Sequence, residues 1–368
     1  MDISPTLTVS RVRLENFRNY RSIELSLSDR FNVLSGRNGQ GKTNLLESLY
    51  LLGTARLLRG QRDLEAIREG SDSFSVQAEL SPSETLIALT LERGGRKKAW
   101  LNGVGLPRAS DLMGRLPCVS VSSIDMEIVR GEPAGRRLFI DIELSALYPA
   151  YLRHLSLYKR ALEQRNALLK ESRERHQSPE LFEPWELQIA EHGSAMRVSR
   201  RAYIDRLGPS TSSLHSQLGS GEQVSLKYQP KDESANSEDL LRTLENTRHL
   251  DVARGSTQVG PHRDDLSVDV QDREARLYGS QGQQRTAVIA LKLATLEVAK
   301  QELGLPPLLL LDDIFSDLDE HRRSLLVEVV LDNAGQVVLT CTEPSAAGPT
   351  ILQRAKVFTV DGGEISEV

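Results

Sequence analysis

Polar and apolar residues alternate over residues 21–27, putting Ile23, Leu25 and Leu27 on one side. With the apolar runs at residues 7–17 and 31–34, this predicts three strands opening the chain. A glycine-rich turn comes next, then a helix over residues 44–52. Period-two runs return at residues 74–80, 85–91 and 98–101, and Gly94-Gly95 and Asn102-Gly103 supply the turn residues of hairpins. From about residue 136 the texture becomes helical, with Leu152, Leu155, Leu162 and Leu169 on one face of the first long stretch. Ser178-Pro179 through Pro184 breaks it, and a helix over residues 185–207 is expected to return antiparallel because the connection is short. Residues 229–237 are polar and read as a surface loop. Strand and helix patterns then resume, including apolar runs at residues 308–311 and 336–340. The expected architecture is α/β. Residues 1–135 form an N-terminal mixed lobe, residues 136–250 a mainly helical arm, and residues 251–368 a C-terminal part that completes one head from both chain ends.

At 368 residues the chain exceeds the size at which a single core stops growing, which agrees with two lobes. Hydrophobic residues at 39% and charged residues at 26% are ordinary for a globular protein, and no apolar run approaches the roughly 20 residues that cross a bilayer. No membrane association is expected. The first ten residues lack a basic stretch followed by an apolar one, so a cytoplasmic location without a secretory signal is expected. Cys118 and Cys341 each sit in an apolar strand-like run and read as buried thiols, since two cysteines are too few for a disulfide framework or a cysteine zinc site. A net charge of −5 excludes a surface that grips nucleic acid all over, because such affinity comes from Lys and Arg neutralising phosphates. Any nucleic-acid site must be a local patch.

Gly36-Arg37-Asn38-Gly39-Gln40-Gly41-Lys42-Thr43 fits the phosphate-loop (Walker A) pattern G-x-x-x-x-G-K-[ST], with a strand before it and a helix after it. The glycines let backbone N–H groups turn inward around phosphates, and the helix N-terminus favours negative charge. Lys42 reaches the terminal phosphates and Thr43 offers its hydroxyl to Mg²⁺. ATP and Mg²⁺ are therefore the expected ligands. Asn44 and Glu47, three residues apart, have the spacing of a local helix cap. Leu308-Leu309-Leu310-Leu311-Asp312-Asp313 is an apolar run ending in two carboxylates, as in a buried parallel strand that delivers acids to the phosphate end of a sheet (Walker B). Asp312 is expected to hold Mg²⁺ through water. Asp313 is the candidate catalytic residue beside Lys42, placed to orient or deprotonate the attacking water. For both acids, capping the next helix is the plainer alternative.

Upstream of that strand, Tyr278-Gly279-Ser280-Gln281-Gly282-Gln283-Gln284-Arg285 opens a helix over residues 286–300, and a polar glycine turn there is either an anion site or simply a cap. Its core resembles the ABC signature, usually LSGGQ. That resemblance implies that Ser280, with Gly282 and Gln283, contacts the γ-phosphate held by the opposite subunit, so that ATP joins two heads. Ser316-Asp317-Leu318-Asp319 resembles the D-loop that touches the neighbouring head, with Asp319 as the matching aspartate. Thr340-Cys341-Thr342 stands where ABC transporters carry a switch histidine, so γ-phosphate sensing there is either absent or falls to a threonine.

Taken together, five stretches closely resemble the RecF family, over nearly the whole chain. They are Leu14-Glu15-Asn16-Phe17-Arg18-Asn19-Tyr20, the phosphate loop, Gly260-Pro261-His262-Arg263-Asp264-Asp265-Leu266, the run from Ser280 to Thr286, and Leu311-Asp312-Asp313-Ile314-Phe315-Ser316. The resemblance implies an ABC/SMC-type P-loop ATPase head with an inserted helical subdomain, an ATP-dependent homodimer, and slow hydrolysis acting as a switch. It also implies binding to single-stranded and gapped duplex DNA, cooperation with RecO and RecR in loading the RecA recombinase, and a place in DNA replication, recombinational gap repair and the SOS response. Where the family reads close to S-P-E-D-L before L-V-K-G, this chain has Ser122-Ser123-Ile124-Asp125-Met126 and Ile128-Val129-Arg130-Gly131. Arg56-Leu57-Leu58-Arg59 carries leucines where polar or aromatic residues are usual, so nucleotide-base or DNA contacts near these loops are expected to differ. His262, Asp264 and Asp265 lack a metal-ligand spacing and read as shaping the turn near the signature.

Four basic clusters are candidate phosphate contacts: Arg56, Arg59 and Arg62; Arg93, Arg96, Lys97 and Lys98; Arg130, Arg136 and Arg137; and Arg197, Arg200 and Arg201. Each is alternatively a solvated face, because acids are interleaved. Aromatic residues at 5% disfavour a base-stacking platform and favour backbone contact. A transporter subunit would hold both nucleotide motifs in one compact domain, and an SMC protein would insert hundreds of heptad residues between them. A small-molecule kinase would need neither Ser280 nor Asp319. An ABC-type ATPase of a defence or other non-repair system is the alternative these motifs leave open.

Overall fold

The computed structural model describes residues 6–58, 62–175, 177–219, 221–315 and 318–368, so Arg59 and the Ser316-Asp317 pair of the D-loop motif lie outside the described residues. The chain divides into two compact units. Met1–Met126, Ser213–Glu222 and Val288–Val368 make the first, and Glu127–Ser212 and Gln223–Ala287 the second.

The first unit contains two six-stranded sheets. One is antiparallel, in the spatial order Tyr20–Ser26, Thr8–Phe17, Ser73–Ser81, Thr85–Glu92, Lys98–Leu101, Val104–Gly105. The other runs Glu364–Glu367, Ala355–Asp361, Phe31–Ser35, Val337–Cys341, Leu308–Asp312, Cys118–Val121, parallel except at its hairpin edge. The strands expected from the period-two and apolar runs are observed to within one residue at each end. Helix Lys42–Thr54 buries Leu45, Leu46, Leu49, Leu51 and Leu52 in one core with residues of both sheets, which is why its sequence is apolar on more than one face. Phe31–Ser35 pairs on one side with Val337–Cys341 and on the other with Ala355–Asp361, so the strand leading into the phosphate loop takes both neighbours from the far end of the chain.

The second unit joins helices Pro133–Leu147, Pro149–Glu171 and Ser237–Arg254 and most of Glu183–Leu218 to a three-stranded sheet, Arg273–Glu274, Asp265–Val270, Val224–Gln229. Two expectations need correction. The first helical stretch is two helices, because Pro149 disfavours a helical conformation at Tyr148, which sits at ψ 103. The second helix does not stop at Leu207 but continues through Pro209 to Leu218. Pro209 cannot donate to the carbonyl of Asp205, and both residues are exposed, where the missing bond costs less than it would in the core. The polar segment after residue 229 is a surface loop, as expected, and it delivers the Asp232 carboxylate to Arg197 at 2.6 and 2.8 Å.

Buried arginines hold this unit together. The inward stripe of Pro149–Glu171 is Tyr151, Leu155, Tyr158, Ala161, Arg165 and Leu169, and the Arg165 guanidinium donates to Glu186, Asp251, the Thr257 hydroxyl and the Leu244 carbonyl. Arg197 also grips Asp264 with two bonds of 2.8 Å, and Arg200 donates to Asp141, the Tyr151 hydroxyl and the Pro261 carbonyl. Arg136 pairs bidentately with Asp265. Arg136, Arg197 and Arg200 are therefore structural cations rather than phosphate contacts, and a sequence reading that weighs neighbouring acids cannot see partners this distant.

Within the same turn, His262 accepts or donates at both ring nitrogens: Tyr158 Oη lies 2.5 Å from Nδ1, and the Thr257 carbonyl 3.0 Å from Nε2. A carbonyl only accepts, so Nε2 carries the proton and Nδ1 takes the phenol's. Burial, with the Arg263 and Arg137 charges beside it, lowers the imidazole from 6.5 to about 4. The folded state thus favours neutral His262, and its contribution is present above pH 6.5 and lost as the pH falls toward 4. Urea unfolding is expected to show on the order of 2 kcal/mol less stability at pH 5 than at pH 7 from this group. That difference should be absent in His262→Gln.

Candidate nucleotide site

The phosphate loop leaves Phe31–Ser35 at Gly36 (φ 148) and enters the helix at Gly41 (φ 119), both in conformations that side chains avoid. A Cβ at Gly36 would stand 2.3 Å from the Val360 carbonyl oxygen, so that position has no room for a larger residue, and one at Gly41 would stand 2.5 Å from Asn19 Nδ2 and displace that side chain. Lys42 is buried at 6% exposure, its ammonium donating to the carbonyls of Gly36 at 2.5 Å and Arg37 at 2.9 Å. Arg37, Asn38 and Gly39 form the exposed rim.

Leu308–Asp312 lies between Val337–Cys341 and Cys118–Val121, all parallel, and its four leucines are buried. Its last residue meets the loop: the Thr43 hydroxyl donates to Asp312 Oδ1 at 2.8 Å. The Thr340 hydroxyl donates to the same oxygen at 2.8 Å and accepts the Asp313 amide at 2.9 Å. Asp313 follows at φ 52, a left-handed conformation rare for a non-glycine residue. The next described α-helix, Glu320–Asn333, is capped by Asp319. Cys341 ends the neighbouring strand and is buried, which raises its thiol to about 11 and keeps it inert.

Ser280 belongs to the second unit and is exposed, with Gln281–Leu303 starting just after it. Ser280 N donates to Gln283 Oε1 at 2.7 Å and Gln283 N donates to Ser280 Oγ at 3.2 Å, a reciprocal capping box. Leu277 and Tyr278, immediately before it, are 65% and 69% exposed. Asp319 also accepts the Arg322 amide, and this bond lowers its carboxyl. The structure thus brings Gly36, Lys42, Thr43, Asp312 and Asp313 into one constellation in the first unit. Ser280, Gly282 and Gln283 form a separate turn in the second.

The family profile described as RecF/RecN/SMC N terminal domain matches residues 8–350. Among curated proteins, the DNA replication and repair protein RecF of Symbiobacterium thermophilum is 41% identical over 91% of both chains, and that of Agathobacter rectalis 36% identical over 98% of this chain and 99% of its own. The chain belongs to the RecF family. A solved structure of the recombination mediator protein RecF with ATP, in the RecFOR pathway, is 30% identical, superposes with a TM-score of 0.90, and covers 99% of this chain and 98% of that one. An Smc head domain from Pyrococcus furiosus, 17% identical at a TM-score of 0.56, shares the fold. The head is therefore an ABC/SMC-type ATPase fold.

The RecF-type opening motif has physical roles that its sequence does not announce. Phe17 is core, and Arg18 makes two bonds to the buried Glu47 carboxylate. Asn19 donates to the Gln40 carbonyl and accepts from Asn44, while the Tyr20 hydroxyl donates to the Gly41 carbonyl. Asn44 and Glu47 are accordingly not caps, and Gly41 begins the helix without a side-chain bond. On the other flank, Gly362 N and Gly363 N, in the C-terminal hairpin turn, donate to Gln40 Oε1 and its carbonyl. The loop is thus braced from opposite chain ends, by the RecF-type opening motif and by the C-terminal hairpin turn. The departures also have local explanations. Leu57 is buried in the core, and Asp125 closes its turn by accepting both the amide and hydroxyl of Ser122.

Proposed function

We propose that this RecF-family chain is an ATP-switched DNA-binding protein of replication and recombinational gap repair. It closes as a homodimer on single-stranded or gapped duplex DNA, and works with RecO and RecR to load RecA in the SOS response. The observation that carries the reading is the convergence of buried Lys42, Thr43 and the Asp312-Asp313 pair on one loop whose glycines Gly36, Gly39 and Gly41 all take the left-handed backbone that side chains avoid. That arrangement fits ATP, and the relatives' names supply the DNA repair context. Backbone N–H groups from Gly36 to Thr43 would cradle the phosphates and Lys42 would swing from the loop carbonyls to them. Mg²⁺, held through Thr43 and Asp312, supplies charge neutralisation of the phosphates when bound. Asp313 orients or deprotonates the water, making the chain a slow, DNA-associated ATPase. Ser280, Gly282, Gln283 and Asp319 serve the partner's nucleotide. Their capping bonds leave the Ser280 hydroxyl hydrogen available to donate. Phosphate contacts on DNA fall to the exposed Arg56, Arg62, Arg93, Arg96, Lys98, Arg130 and Arg201.

Fluorescence anisotropy of a labelled gapped duplex tests this, titrated with and without Mg²⁺-ATP. Binding should tighten at least tenfold with ATP in the parent and not in Lys42→Met. Failure to bind any DNA form would move the chain to an ABC-type ATPase of a defence or other non-repair system.

A further inference from the structure

The hydroxyl of Thr340 is buried at 1% exposure, opposite Asp312 in the parallel register, and both its hydrogen-bonding capacities go to the acid pair. A strand end in this core needs only a β-branched shape, which valine would supply without a polar group to desolvate. Thr340 instead fixes two things at once. Its donated bond, with the parallel one from Thr43, sets the plane of the Asp312 carboxylate. Its accepted bond holds the Asp313 backbone at φ 52, a conformation that costs about 1–2 kcal/mol without such support. One hydroxyl therefore ties the side chain of the first acid to the backbone of the second. We infer that Thr340 is a positioning residue for hydrolysis: it couples the metal-holding and water-directing acids so that they adopt their working geometry together. This rests on the assignment of Asp312 and Asp313 given above.

The test compares Thr340→Val, Thr340→Ser and Asp313→Asn in the full chain. Each is measured for binding of a fluorescent ATP analogue in EDTA, the Mg²⁺ concentration giving half-maximal rate, and single-turnover hydrolysis. Thr340→Val is expected to bind the analogue within about twofold of the parent, to need several-fold more Mg²⁺, and to hydrolyse about 10- to 100-fold more slowly. Thr340→Ser, which restores the hydroxyl, should come within about threefold of the parent on all three. Parental rate and Mg²⁺ dependence in Thr340→Val would overturn the inference, as would Thr340→Ser failing equally or Thr340→Val losing the analogue in EDTA. Normal hydrolysis by Asp313→Asn would overturn the acid assignment itself; normal hydrolysis by Thr340→Val alone overturns only the coupling.

Discussion

Arg165→Ala is expected to destabilise the helical unit by about 3–5 kcal/mol, enough to unfold many domains outright. The size follows from what remains behind. Arg165, Glu186 and Asp251 have side chains at 0% exposure, and removing the cation leaves Asp251 buried with its Arg165 bond gone. Burial already raises the Asp251 carboxyl despite Arg165 beside it, so its ionised form depends on that partner. Glu186 keeps Arg248, which limits the loss on that side. Arg165→Lys retains the charge but cannot reproduce bonds to two acids, a hydroxyl and a carbonyl, and should fall between. Trp185 lies in this unit and Trp100 in the other, so urea unfolding followed by fluorescence in a Trp100→Phe background reads the helical unit alone. A loss under about 1 kcal/mol would show that the ion cluster is dispensable.

Asp313→Asn should retain ATP binding and lose hydrolysis about 10²- to 10⁴-fold, the range for removing a positioned general base. The substitution keeps shape and backbone, including the amide bond to Thr340, and removes only the charge and proton affinity. Single-turnover cleavage with excess protein checks it. Unaltered cleavage would remove Asp313 as the base and leave Asp312, Thr43 and Lys42 as a binding site only.

What could be read in the sequence was what is local. The phosphate loop and the leucine strand with its two acids are each contiguous, so spacing alone exposed them, and the strand ends followed from period-two alternation. Thr340 was legible only as one of two threonines standing where a switch histidine is usual, because its bonds depend on a parallel register with Asp312 that no local pattern encodes. Asn19 and Gly363 touch Gln40 from opposite ends of the chain; the only signal for Asn19 was a family-like string whose mechanics were hidden, and Gly363 carried none. Arg165 occupies an inward helical position that hydrophobic periodicity assigns to leucine, while its acids lie two elements away. Pro209 reads as a stop, and only its solvent-facing placement shows why the helix tolerates it. The boundary between units at residues 287 and 288 falls inside helix Gln281–Leu303, where composition has no reason to change.

The placement of Phe31–Ser35 between two strands from the chain's last residues sets a schedule for synthesis. At roughly 5–20 residues per second, this strand would wait about 15–60 seconds after emerging before Val337–Cys341 exists to pair with it. The helical unit's segments end at Ala287, so that unit can reach its native contacts first. Meanwhile the nascent head carries an apolar strand with both edges bare, and a ribosome stalled before residue 337 would release a chain prone to sheet pairing with its neighbours.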